Sequence, residues 1–319
     1  MTNSPFISLF LQSVLVLGLA PFTVGLVRKI KARYQNRRGA SVFQPYIALA
    51  ALWRKEMTMP EFSSWVFRFV PYAVLASTVA FALVVPTLVV GALPPALTAV
   101  FLAVGLLALA SSFMVLGGLD TSSAFGSMGS SREMTLVALS EAAFLVILAT
   151  LGLVAGTGSL DHILMTFAAA PWMYLEVLLS PTIVAFLFVV LAENTRYPVD
   201  NPATHLELTM VHEAMLLEYS GPYLAMLEYA SMLRLTVMGV FFANVLAPIA
   251  LITPAAGPTE LAFGALAFVV KLGCFAFLVA SIESLIVKMR FYRMQEYFSL
   301  AFLFALAGAA TVLLQIAFK

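Results

Sequence analysis

Charge is what this sequence has least of. Asp, Glu, Lys and Arg make up 10% of its 319 residues, against about a quarter in soluble globular chains. With 62% hydrophobic residues and a mean hydropathy of +1.01, it has more apolar surface than one buried core takes up, and lipid is the surrounding that suits the excess. Cysteine is nearly absent too. A single thiol, Cys274, excludes a disulfide framework, a zinc site or an iron–sulfur cluster built from this chain. The three histidines, His162, His205 and His212, lie outside the long apolar runs, which argues against a histidine pair holding a membrane haem. A net charge of +1 points to no nucleic-acid partner. Redox chemistry, where it concerns this chain, belongs to another subunit, and the chain is expected to carry no cofactor and no metal of its own.

What is present is a series of apolar runs. A span takes about 20 apolar residues, and eight runs qualify: roughly Phe6–Val27, Phe69–Gly91, Pro95–Leu119, Met134–Ala155, Trp172–Ala192, Tyr229–Ile252, Leu261–Val287 and Tyr297–Phe318. The first has no basic residue before it, a basic cluster after it and no small-residue cleavage site, so it reads as a retained helix rather than a signal peptide. Lys and Arg fall on alternate connections. Arg28, Lys29, Lys31, Arg33, Arg37, Arg38, Arg54, Lys55 and Arg68 follow the first run; Arg132, Arg196, and Lys288 with Arg290 and Arg293 mark the third, fifth and seventh connections. The other connections carry none. The positive-inside rule then places connections at about 28–68, 120–133, 193–228 and 288–296 in the cytoplasm. Both termini fall on the periplasmic side of the cell inner (plasma) membrane. The expected fold class is all-α: one integral membrane domain over 1–319, polytopic, with eight transmembrane helices. RYQNRRGASVFQPYIALAALWRKEM adds an amphipathic interfacial helix, with Tyr46, Leu49, Leu52 and Trp53 toward the apolar side. It reads either as a headgroup-binding helix or as a docking surface or ligand-site wall.

Against this background Glu193–Glu228 stands out. It holds six of the sixteen acids, Glu193, Asp200, Glu207, Glu213, Glu218 and Glu228, and two histidines. Clustered carboxylates repel one another and raise some pKa values toward neutrality, which suits proton exchange. The interleaved Leu, Met and Tyr suggest burial against a partner rather than a solvated loop. The pattern is helical from Thr204 to Tyr219, and Gly221-Pro222 is read as its end. His212-Glu213 begins like the HExxH zinc motif, but Leu216 occupies the place of the second His. His205 and His212 are about 10 Å apart along a helix, so no metal site is expected.

Ionisable residues inside spans are functional candidates by default. Here they are Glu141, Lys271 and Glu283, with Glu228 and Arg234 near the start of the sixth run. Twelve residues, roughly 18 Å of helix, keep Lys271 and Glu283 from pairing. Such groups, with water between them, form a route for protons from the acidic segment toward the bilayer centre; static ion pairs that pin helices are the alternative. GLDTSSAFGSMGSSREM reads as a small-residue loop, either suited to close packing against another protein's backbone or a flexible connector. It lacks the lysine of a Walker A phosphate loop.

Together these motifs resemble the membrane protein shared by respiratory complex I, where it is subunit 1, and the membrane-bound group 4 NiFe-hydrogenases, of the formate hydrogenlyase membrane subunit and hydrogenase-4 component C type. The resemblance runs from the first helix to the last. It rests on NRRGASVFQPY, GLDTSSAFGSMGSSREM, Arg132 nine residues ahead of Glu141, AENTRYPVD, LEYSG and MLEYA. The Gly/Ser segment is closer to the hydrogenase branch. The resemblance implies a core that docks hydrogenase-like small and large peripheral subunits, which carry 4Fe-4S clusters and a NiFe site, and antiporter-like membrane subunits. It implies that Arg132, Glu141, Glu193, Arg196, Asp200, Glu207, Glu218 and Glu228 are motif positions of a coupling path or its entrance; Glu213, Lys271 and Glu283 join them from the residue reading. Where complex I has a further acidic pair after its PFD motif, this chain has Asn201-Pro202-Ala203-Thr204-His205, a less acidic entrance. The expected function is an anchoring, proton-translocating subunit of an oxidoreductase complex. The alternatives are a quinone-site subunit of complex I type and a passive membrane scaffold.

Overall fold

The computed structural model describes residues 5–169, 181–199, 211–286 and 291–317. Among the described residues all regular structure is helical, apart from two isolated bridges. In chain order the helices are α1 Pro5–Tyr34, α2 Gln44–Trp53, α3 Trp65–Val84, α4 Val100–Asp120, α5 Ala124–Ala155, α6 Leu160–Ala169, α7 Pro181–Glu193, α8 His212–Leu216, α9 Gly221–Leu246, α10 Pro258–Leu285 and α11 Phe291–Ala317. Seven of them, α1, α3, α4, α5, α9, α10 and α11, are long and apolar enough to cross a membrane. Helix α7 is the C-terminal part of the fifth predicted span, and the beginning of that span lies outside the described residues. The chain is a multi-pass membrane protein, and its exposed large apolar side chains, such as Phe101 at 77% and Phe263 at 62%, are what a lipid-facing surface requires.

Helix α9 is the central pillar. In its most apolar window 78% of residues are buried, against 33–44% in the other long helices. Helices α1, α2, α3, α7 and α10 pack on it directly, and α4, α5 and α11 complete the bundle. Interfacial α2 has Pro45 in its first turn and turns Leu49 inward. Asp120, the last residue of α4, caps α3: its carboxylate accepts from Ser64 N (2.8 Å), Ser64 Oγ (2.6 Å) and Phe67 N (3.0 Å). An acid at a helix N-terminus meets both orphan amides and the positive end of the dipole.

Two expectations need correction. GLDTSSAFGSMGSSREM is not a loop. Only Thr121–Ser123 separate α4 from α5, and Ser123 caps α5 by accepting from Gly126 N. At 32 residues, α5 is about 48 Å long, well over the ~30 Å of a bilayer core. The small residues serve contact within the chain: an added Cβ at Gly118 would come 2.9 Å from Met215 Cγ, and one at Gly129 would come 2.9 Å from Ala214 Cβ and 3.0 Å from Val211 O. Gly221-Pro222, read as a stop, is a start. Gly221 has φ +54° and opens α9, with proline in its first turn, where a missing N–H costs nothing. The predicted sixth span therefore begins some two turns earlier, and Glu228 lies within the helix rather than at its mouth.

Candidate functional site

The turn after α7 divides two charges between two places. Thr195 N bonds Ala192 O at 3.0 Å, Arg196 N bonds Leu191 O at 2.9 Å, and Thr195 takes φ +49°. This reversal leaves Glu193 pointing inward with its side chain 1% exposed. Arg196 turns instead to a cavity of about 480 Å³ at the basic end of the bundle. Arg28 and Lys31 of α1, Glu213 of α8, Glu228 of α9 and Glu283 of α10 line this vestibule with it. Glu283, its side chain 2% exposed, accepts from Lys31 Nζ and from Arg196 Nη1, each at 3.1 Å. Burying a carboxylate this deeply is costly unless it is paired in this way. Lys31 Nζ also lies 4.6 Å from the Tyr197 ring centroid, a cation–π distance. Arg28 supplies the favourable Coulombic partner of Glu228.

Behind the vestibule lie two smaller cavities. One of about 20 Å³ is lined by His212, Ser231, Glu133 and Arg234 among others, and it shares His212 and Ser231 with the vestibule. The next, about 10 Å³, is lined by Glu133, Ser140, Glu193 and Thr195, and it shares Glu133 with the first. These volumes are of the order of a single water molecule, roughly 10–15 Å³ on this measure. His212 Nδ1 is 3.9 Å from Glu133 Oε1. Ser140 Oγ donates to Glu193 Oε1, and Arg234 Nη1 is 4.0 Å from Glu193 Oε2. Glu141 follows Ser140 on α5; Glu193 and Arg234 are the charges that act on it most. Among the described residues its buried Oε1 has no hydrogen-bond partner. The arrangement is a graded series of ionisable groups, from a wide polar mouth to a buried carboxylate pair beside one guanidinium.

Of the residues singled out from the sequence, the structure brings Glu193, Arg196, Glu213, Glu228 and Glu283 onto these cavities, and Glu141, which lines none of them, interacts with Glu193 and Arg234. Asp200 and Glu207, with His205, lie outside the described residues. Arg132 is half-buried on α5, and Glu218 is half-buried between α8 and α9; neither lines the three cavities. Lys271 is at the other end of α9, where its Nζ donates to Asn244 Oδ1 (2.8 Å) and Ile249 O (2.7 Å). Sequence reasoning missed Glu133 and Ser140. Their signal was the spacing of Glu133, Leu136, Val137 and Ser140, which puts one helical face on one cavity once the preceding segment is recognised as helix. An apolar cavity of about 370 Å³ between α1, α2, α3 and α9 is lined by Tyr46, Trp53 and Tyr229 among others. Both tyrosine hydroxyls donate to α1 carbonyls, of Gly18 and Leu17. Among the described residues no group of three or more His, Cys, Asp or Glu is placed to hold a metal ion.

The profile of the NADH dehydrogenase family matches residues 7–315. Hydrogenase-4 component C of Escherichia coli strain K12 is 31% identical over 237 residues, 74% of each chain. Formate hydrogenlyase subunit 4 of the same strain is 31% identical over 238 residues, 75% of this chain and 76% of that one. The H subunit of NADH-quinone oxidoreductase from Anaplasma phagocytophilum strain HZ is 28% identical over 247 residues, 70% of this chain and 72% of that one. In fold, a chain of the membrane-bound sulfane sulfur reductase, an archaeal respiratory membrane complex, superposes with a TM-score of 0.83 at 16% identity, covering 97% of this chain and 99% of that one.

Proposed function

The chain belongs to the NADH dehydrogenase family, and on that premise we propose that it is the membrane-anchoring, proton-translocating subunit of a complex of the hydrogenase-4 and formate hydrogenlyase kind. In this reading the basic face is cytoplasmic and both termini are periplasmic. A peripheral arm of hydrogenase-like small and large subunits, holding 4Fe-4S clusters and a NiFe site, docks there, and antiporter-like subunits continue the path within the membrane. The observation that carries the reading is a series of three neighbouring cavities, separate but linked by shared lining residues, from the vestibule through His212 and Glu133 to Glu193. A passive scaffold accounts for the Lys31–Glu283–Arg196 pairing but not for Glu141, whose buried Oε1 has no hydrogen-bond partner among the described residues. The quinone alternative would use the apolar cavity, but the two tyrosine hydroxyls there are already donated to α1 carbonyls, while the ionisable groups gather in the other chamber.

Redox events in the arm would change the charge at the vestibule. A proton would then move between its carboxylates and Glu193, with Arg234 stabilising whichever of Glu193 and Glu141 is ionised. The test is Glu193→Gln in the whole complex, in sealed vesicles, with protons moved per electron pair as the readout. Loss of at least tenfold with the complex assembled is expected. Wild-type translocation by the assembled variant would leave the scaffold reading.

A further inference from the structure

The vestibule and the buried acids do not share an acid. They share two residues, His212 and Ser231, and only the imidazole takes up and releases a proton near neutral pH. We propose that His212 is the relay through which protons pass between the vestibule and Glu133, and that Gly118 and Gly129 position it. The inference rests on the proton-translocation reading above.

Three features carry it. The ring is nearly enclosed, with 11% of the side chain exposed, yet it borders both chambers, so its two nitrogens can serve different sides. Nδ1 stands 3.9 Å from Glu133 Oε1, an ion-pair distance a little beyond hydrogen-bond length. Among the described residues the charged groups that line the two cavities with it are Glu133 of α5, Arg234 and Glu228 of α9, Glu213 of its own helix, and Arg28 and the Lys31–Glu283–Arg196 set across the vestibule. In one transfer, a protonated vestibule carboxyl gives its proton through water to Nε2, and Nδ1 gives its own to the Glu133 carboxylate. The imidazole returns to neutral as the other tautomer, and the reverse transfer balances in the same way. The five-residue α8 would not hold such a register alone. Its Ala214 and Met215 are seated against glycines of α4 and α5 where no side chain fits.

The test uses the intact complex in sealed vesicles, with His212→Ala, His212→Gln and Glu193→Gln compared for protons moved per electron pair and for assembly. Both His212 variants are expected to lose at least tenfold. Millimolar imidazole is expected to restore His212→Ala, since a chamber of about 480 Å³ opens on the missing side chain, and to leave Glu193→Gln unrestored. Translocation by His212→Gln at the wild-type level, with Glu193→Gln inactive, would overturn the relay and keep the path. Assembled His212→Ala that imidazole does not restore would likewise reduce His212 to a structural part. Wild-type translocation by Glu193→Gln would instead remove the path on which the relay depends. Should His212→Ala fail to assemble, His212→Gln alone decides.

Discussion

At the scale of single residues, charge is placed by what surrounds it, and Asp161 shows this away from the path. It sits in α6 at the end of the bundle opposite the vestibule and is 3% exposed. Burial pushes its carboxyl up to about 6, against the lowering effect of a hydrogen bond from the Gly91 backbone and of neighbouring His162. A carboxyl whose folded-state value lies above its ordinary one favours folding while neutral. That contribution is complete below about pH 4 and is lost as pH rises through 6. Asp161→Asn, which fixes the neutral form, should therefore raise the melting temperature of the detergent-solubilised protein at pH 8 and leave it nearly unchanged at pH 4. An equal shift at both would show that ionisation is not the cause. Lys271 makes the same point with opposite charge. From sequence it belongs with the path, since a lysine inside a span invites function. Its ammonium in fact rests on Asn244 and Ile249, ten residues of α9 beyond Arg234, a placement that needed the fold of the 247–257 connection and is not written in local pattern.

Among the elements, α5 shows what small residues do in a helix. Gly129 faces α8 so closely that any side chain meets Ala214 and the Val211 carbonyl oxygen, and backbone cannot yield as a flexible side chain would. Gly129→Val should displace α8, cost about 1–3 kcal/mol of stability as overpacking does, and abolish proton translocation without touching an ionisable group. Gly105→Ala, which meets nothing within 4 Å, should change neither; similar behaviour of the two variants would sink the argument. The existence of the long helices was legible because lipid demands unbroken apolar runs. Their ends were not, because Gly, Ser and Pro punctuate soluble chains but in this bundle also permit close approach. Hence GLDTSSAFGSMGSSREM looked like a loop, and Gly221-Pro222 a terminator. The site was half legible for the same reason: the acids of Glu193–Glu228 announce themselves, whereas Glu133 gains meaning only when α5 is seen to start at Ala124 and Glu133 meets His212 from another element.

For the whole molecule, the distribution of Lys and Arg makes a claim about orientation. In a Cys274→Ser background, Arg37→Cys should react with a membrane-impermeant maleimide only in inverted vesicles and Thr253→Cys only in intact spheroplasts; the opposite pattern would invert the proposed topology. Between those two faces stands α9, and its anchoring has a mechanical meaning. Asn244 donates to Pro86 O (3.3 Å) and Thr87 O (2.8 Å) while accepting from Lys271. Lower down, Thr236 bonds Thr23 of α1 (2.9 Å) and Tyr229 bonds Leu17 O (2.8 Å). A helix tied at both ends and its middle cannot act as a piston, since sliding by even a fraction of a turn would break all of these bonds at once. In the proposed path it would serve as a stator, with signals at Glu228 and Arg234 carried by side-chain swings and proton hops across a frame that stays still.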